Sequence, residues 1–167
     1  MSIQGASTSQ SSLASLSQNC WKYDVFFNFR GNDTRRAFVE HLYTKLKWKD
    51  CFIFLDEERL ARGKSIAPEL FKAIKESRFA VVILSRKYAS STWCLKELVE
   101  IVKCKKEKGL IIFPVFYHVK PSDVRKQRKS FKQAFAKYEA DNIHEVKTWR
   151  AAFTEVANIT GWHIDKR

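Results

Sequence analysis

At 167 residues the chain falls within the roughly 100–200 residues of one domain, so two independent cores are not expected. Hydrophobic residues make up 45% and aromatics 14%, enough apolar surface to offset the ordering entropy of folding, which excludes a disordered or fibrous chain. A formal net charge of +13 would draw the protein toward nucleic acid, anionic lipid or phosphorylated small molecules, without choosing among them.

Residues 1–20 hold seven serines, with neither a basic start nor an apolar core, and read as a flexible tail rather than a secretory signal. Met1-Ser2 excludes the myristoylation pattern. Tyr23 to Asn28 is apolar almost throughout, as in a strand covered on both faces. Arg30 to Thr34 supplies breakers and a helix cap, and Phe38, Leu42 and Leu46 recur at helical spacing as far as about Trp48. A second short strand, Phe52 to Leu55, runs into the charged, aperiodic stretch Asp56 to Lys64, an exposed loop. Helix is expected from about Ile66 to Ser77 with Pro68 in its first turn, then a buried strand from Phe79 to Leu84, then the polar connection Ser85 to Thr92.

A helix from about Trp93 to Lys106 turns Leu95, Leu98, Val99 and Val102 inward and stops at Gly109. Leu110 to Tyr117 is the fourth strand; at eight residues, this longest apolar run is far short of the roughly 20 that cross a bilayer. Helices from about Val124 to Tyr138 and Glu145 to Ile159 follow. A fifth strand is expected either at Trp162 to Ile164 or near Ile143. This alternation predicts a three-layer α/β fold with a central parallel sheet of about five strands, because crossover helices cover both faces. In such sheets ligands sit beyond the carboxyl ends of the strands where the strand order reverses, which selects the loops Phe29 to Arg35 and Ser85 to Thr92.

The sequence excludes much chemistry. Glycines stand only at 5, 31, 63, 109 and 161, so neither the dinucleotide G-x-G-x-x-G nor the phosphate-cradling GxxxxGK[ST] loop exists. There is no HExxH and no G-x-S-x-G, and the histidines at 41, 118, 144 and 163 stand apart, so no metal site is expected. The four cysteines form no CxxC pair, which fits a soluble protein of a reducing compartment. Trp93 and Glu97 remain, four residues apart on one helix face, with Arg30 and Arg35 flanking the opposite loop. The plainer alternatives are a helix-dipole role for Glu97 in a first turn, a core anchor at Trp93 and solvated surface charge at the arginines.

Four segments, Tyr23 to Arg35, Ser90 to Leu98, Pro114 to Arg125 and Trp149 to Trp162, together resemble the Toll/interleukin-1 receptor (TIR) domain of plant immune receptors over about residues 23–164. The resemblance implies a flavodoxin-like domain at 21–164, with 165–167 a short tail or the start of a linker. It also implies a self-associating plant defence protein that cleaves the nicotinamide N-glycosidic bond of NAD+ or NADP+ as substrate, with no cofactor. Related ADP-ribosyl cyclase chemistry falls under the same resemblance, as does a cytoplasmic or also nuclear location. By the same likeness Glu97 is the catalytic acid, Trp93 its neighbouring aromatic, and Arg30, Gly31, Asn32, Asp33, Thr34 and Arg35 the nucleotide-contacting loop, with Gly63 in a matching loop at 55–65. Asn28 stands where the family usually has serine, and Asn32 where it has a second acid. His41 matches a contact of the first helix, with the last helix as the second assembly surface.

One acid can suffice for that reaction, because nicotinamide departs from a cationic ring and needs no proton. A non-catalytic scaffold working through TIR–TIR contacts is the competing reading. Residues 103–150 hold 13 Lys+Arg against 5 Asp+Glu, so a weak, salt-sensitive nucleic-acid affinity centred on Arg125, Lys126, Arg128 and Lys129 is a third, although charge runs are commonly solvated helix faces. No membrane contact is expected.

Overall fold

In the computed structural model, residues 21–34, 38–54 and 67–166 are described. The serine-rich segment 1–20, the connection expected at 56–64, Arg35 and Gly63 lie outside the described residues. Five strands, Tyr23–Asn28 (β1), Ile53–Phe54 (β2), Ser77–Leu84 (β3), Ile111–Tyr117 (β4) and Trp162–Ile164 (β5), form one parallel sheet in the order β2-β1-β3-β4-β5. Val25 pairs with Ile53 and Phe79, Val81 with Phe113, and Val115 with Trp162, so the reversal of strand order lies between β1 and β3. Of the two segments that could supply the fifth strand, Trp162 to Ile164 does so.

Among the described residues the helices are a single turn at Gly31–Thr34 (α1), then Glu40–Lys47 (α2), Ala67–Lys75 (α3), Thr92–Lys108 (α4), Pro121–Arg125 (α5), Ser130–Ala140 (α6) and Val146–Ala157 (α7). The longest, α4, is defined at both ends by local chemistry. Ser91 Oγ accepts the Cys94 N–H at 3.2 Å, and Gly109 at φ 74° takes the left-handed conformation that closes a helix. One face of the sheet buries Phe26, Val82, Leu84 and Phe116 against α3, α4, α6 and α7. The other buries Val25, Phe27, Val81, Ile83 and Val115, packed by Phe38, Leu42 and Leu46 from the α2 region. Helices therefore lie on both sides, as a parallel sheet requires. On the second face the β4–β5 half is more open: Phe113 is 39% and Trp162 65% exposed, their rings stacked at 6.0 Å.

Three expectations are corrected. Ser77 opens β3 rather than closing the preceding helix: it is fully buried, pairs with Tyr23, and its Oγ donates to the Ala73 carbonyl at 2.6 Å. The single helix expected at 124–138 is two helices, because Gln127 and Lys129 sit at φ 49° and 55° and no helix continues through that conformation. Asp123 stabilises the break. Its carbonyl accepts the Arg128 N–H at 2.8 Å, and its carboxylate accepts Lys129 Nζ at 2.9 Å. Within α4, Val99 is only half-buried, whereas Cys94, Ile101 and Cys104 join the core. Among the described residues no helix is long and apolar enough to cross a membrane.

The approach to β5 leaves no room at Gly161, where an added Cβ would lie 2.1 Å from the Pro114 carbonyl oxygen. Gly161→Ala must push β5 off β4, and an overpacking cost of roughly 1–3 kcal/mol is expected in urea unfolding. The Lys129 hydrogen bond, with the charges of Lys120 and Arg128 adding to it, holds the Asp123 carboxyl below its ordinary value. A lowered folded pKa stabilises above the unfolded pKa of about 3.9 and is lost as pH falls through the folded one. The stability gap between the parent and Asp123→Asn should therefore be largest near neutrality and close below about pH 3.9, read as urea midpoints at several pH values.

Candidate functional site

The strand order reverses between β1 and β3, and beyond the carboxyl ends of such a pair doubly wound sheets hold their ligands. Asn28 ends β1 there, and the chain leaving β3 passes through a short 3-10 turn, Tyr88–Ser90, before entering α4. These pieces are drawn together by one buried amide. Asn28 Nδ2 donates to Glu97 Oε2 at 2.7 Å and to the Cys94 carbonyl at 3.3 Å, and Asn28 Oδ1 accepts the Tyr88 hydroxyl. Cys94 Sγ in turn donates to the Phe29 carbonyl at 3.4 Å. Asn28, Tyr88, Cys94 and Glu97 are all buried.

Glu97, the acid singled out from sequence, thus lies against the carboxyl end of β1 at the switch point, with 0% exposure. The helix-dipole alternative does not apply: α4 begins at Thr92, which puts Glu97 in the second turn, beyond the reach of the exposed amide groups. Trp93, one turn earlier, is half-buried and packs its ring 6.1 Å from Phe71 of α3. It is an edge of the core.

The two sequence-predicted loops do meet. Arg30 Nη1 donates to the Lys87 carbonyl at 2.8 Å, bridging the β1 loop to the β3 loop. Gly31 opens the α1 turn, and buried Thr34 closes it by donating from Oγ1 to the Arg30 carbonyl at 3.1 Å. Asn32 and Asp33 belong to the same turn, but their side chains lie outside the described residues, as do Arg35 and Gly63. The β3 loop is pinned further along as well: Ser130 Oγ donates to the Arg86 carbonyl at 2.6 Å and Tyr138 to that of Ala89 at 2.8 Å. Burial pushes the Tyr138 hydroxyl up from its ordinary pKa, so it stays protonated as that donor.

Asn28 and Tyr88, not among the candidate site residues read from sequence, are each an exception in their own segment: a lone amide closing an apolar strand, and an aromatic inside a polar connection. His41 is exposed on α2. The basic patch is partly engaged in internal contacts. Arg125 Nε donates to the Ala157 carbonyl at 2.9 Å, Lys129 pairs with Asp123, and Lys105 and Lys106 reach Glu155 at 3.5 and 3.4 Å. Among the described residues no group of His, Cys, Asp and Glu could hold a metal ion.

Residues 22–167 match the TIR domain family. The chain is 54% identical over 142 residues to the disease resistance protein RPV1 of Vitis rotundifolia, covering 85% of this chain and 10% of that protein. It is 46% identical over 151 residues to the TMV resistance protein N of Nicotiana glutinosa, covering 89% of this chain and 13% of that protein. It thus spans little more than a tenth of these curated relatives. Among solved structures, the TIR domains of the activated Roq1 resistosome, which directly recognises the pathogen effector XopQ, align with a TM-score of 0.77 and 53% identity over 85% of this chain and 87% of that one.

Replacing Asn28 by alanine removes one hydrogen-bond partner each from Tyr88, Cys94 and Glu97 inside the core. We expect Asn28→Ala to lower unfolding free energy by roughly 1–3 kcal/mol in chemical denaturation.

Proposed function

The chain belongs to the TIR domain family, and on that premise we propose that it is a self-associating NAD+ hydrolase of plant immune signalling, with Glu97 as its catalytic acid. The observation that supports this reading is the bond of the Asn28 amide, at the carboxyl end of β1, to Glu97 Oε2 at 2.7 Å, which puts the acid next to the switch point. The disease-resistance relatives support the immune role, and the assembled Roq1 TIR domains support self-association, for which exposed His41 on α2 offers one contact.

The chemistry asks little of the protein. The bond between ribose C1′ and the pyridinium nitrogen breaks with its electron pair going to nitrogen, so nicotinamide leaves neutral. Water then adds its oxygen to C1′ and gives its proton to solvent. Glu97 would hold the ribose hydroxyls and offset the positive charge that builds on the sugar, a contact stronger in the transition state than in the ground state. Trp93 would flank the nucleotide, and Arg30 with the α1 turn would meet its phosphates. The Asn28 amide fixes the rotamer of the acid, as a positioning residue.

A specific observation favours a second reading. A carboxylate at 0% exposure, already bonded to Asn28, can also serve as a structural acid inside a non-catalytic scaffold. Glu97→Gln separates the two, because the amide keeps the shape and an acceptor for Asn28 while removing the charge. Concentrated protein incubated with NAD+ should release nicotinamide about 10²–10³-fold more slowly in this variant, at an unchanged melting temperature. Release at the parent rate would leave the scaffold reading in place and remove the enzymatic one.

A further inference from the structure

A cavity of about 570 Å³ opens at the carboxyl end of the sheet beside β4, and Glu97, Trp93 and Arg30 take no part in it. Its wall is built from three stretches: Arg86 beyond β3, His118 and Lys120 beyond β4, and Asp123, Lys129 and Ser130 across the α5–α6 break. The volume lies within the roughly 300–1,000 Å³ of small-molecule sites.

Charge gives the cavity its character. Three permanent cations face a single acid, and that acid is already taken by Lys129 at 2.9 Å. Asp123 stays ionised through that bond and the nearby Lys120 and Arg128 charges. Arg86 and Lys120 then remain, with no carboxylate among the described residues in pairing distance of either. Two like charges lining one hollow repel each other and concentrate a counter-anion between them. The backbone around them is held in place. Ser130 Oγ fixes the Arg86 carbonyl at 2.6 Å, the His118 N–H donates to Ile164 at 2.8 Å, and both His118 and Lys129 adopt left-handed φ values of 53° and 55°.

We propose that this cavity binds the phosphate groups of a small phosphorylated molecule, gripped by Arg86 and Lys120, at a site separate from Glu97. Arg86 supplies a planar, two-pronged donor suited to phosphate oxygens and Lys120 a point charge. The ligand could be a nucleotide or free inorganic polyphosphate, which share this chemistry.

Titration of the whole protein with inorganic pyrophosphate and, separately, ADP at low salt, followed by calorimetry and backbone amide shifts, tests the site. Saturable binding at or below about 1 mM is expected, with shifts centred on residues 118–120 and 129–131. Tighter binding of ADP would identify a nucleotide as the source, and equal binding free phosphates. The double variant Arg86→Gln, Lys120→Gln should weaken binding at least tenfold at an unchanged melting temperature. Lys103→Gln with Lys147→Gln, which removes the same charge from exposed positions elsewhere, should leave binding intact, as should Glu97→Gln. Absence of saturation, equal loss in the two double variants, or sulfate binding as tightly as pyrophosphate would overturn the proposal. The Glu97→Gln control keeps its failure distinct from failure of the NAD+ hydrolase reading, because binding here is measured without turnover.

Discussion

The carboxyl end of this sheet depends on one buried amide. Asn28 offers two N–H groups and one carbonyl, and all three are used, on Glu97, on the Cys94 main chain and on Tyr88. Those partners belong to the start of α4 and to the turn before it, so the end of β1 and the whole β3-to-α4 connection are fastened at one point. An unmet polar group in this setting costs more than a made bond contributes, which is why the arrangement specifies a single geometry. The aromatic and aliphatic packing on both sheet faces supplies the bulk of the burial. The amide decides where the acid stands.

The same connection is gripped from three further directions. The carbonyls of Arg86, Lys87 and Ala89 accept from Ser130, Arg30 and Tyr138 in turn. A connection that reads as a polar loop is thus a backbone ribbon whose acceptors are satisfied by side chains from α6 and from the β1 loop. Its first residues line the basic cavity through Arg86 and accept the Arg30 guanidinium at the Lys87 carbonyl.

Legibility in the sequence followed the range of the forces involved. The bounds of β1, the left-handed stop at Gly109 and the tolerance of Pro68 in a first turn come from local propensity and periodicity, and the structure agrees with them. The reversal of strand order between β1 and β3 was legible from the strand–helix alternation, and the structure agrees with it. What escaped rests on side-chain contacts that periodicity does not report. The break between α5 and α6 depends on Asp123 capturing the Arg128 N–H and the Lys129 ammonium, which no hydrophobic period reports. The place of Ser77 in the sheet depends on Tyr23, 54 positions earlier. Glu97 was legible as an acid of interest, but its burial was not, because the amide that receives it lies 69 residues away.

The strand that closes the sheet on one side carries a consequence for how copies of this chain can meet. β5 is three residues long and registers only with Val115, Phe116 and Tyr117. Its outer border therefore exposes a very short row of main-chain donors and acceptors, too few to template another strand. Continuation of the sheet from one molecule into the next is disfavoured on that border. Any filament or ring that grows from it must be cemented by side chains, whose identities can be tuned one at a time, rather than by the indiscriminate backbone pairing that leads to amyloid.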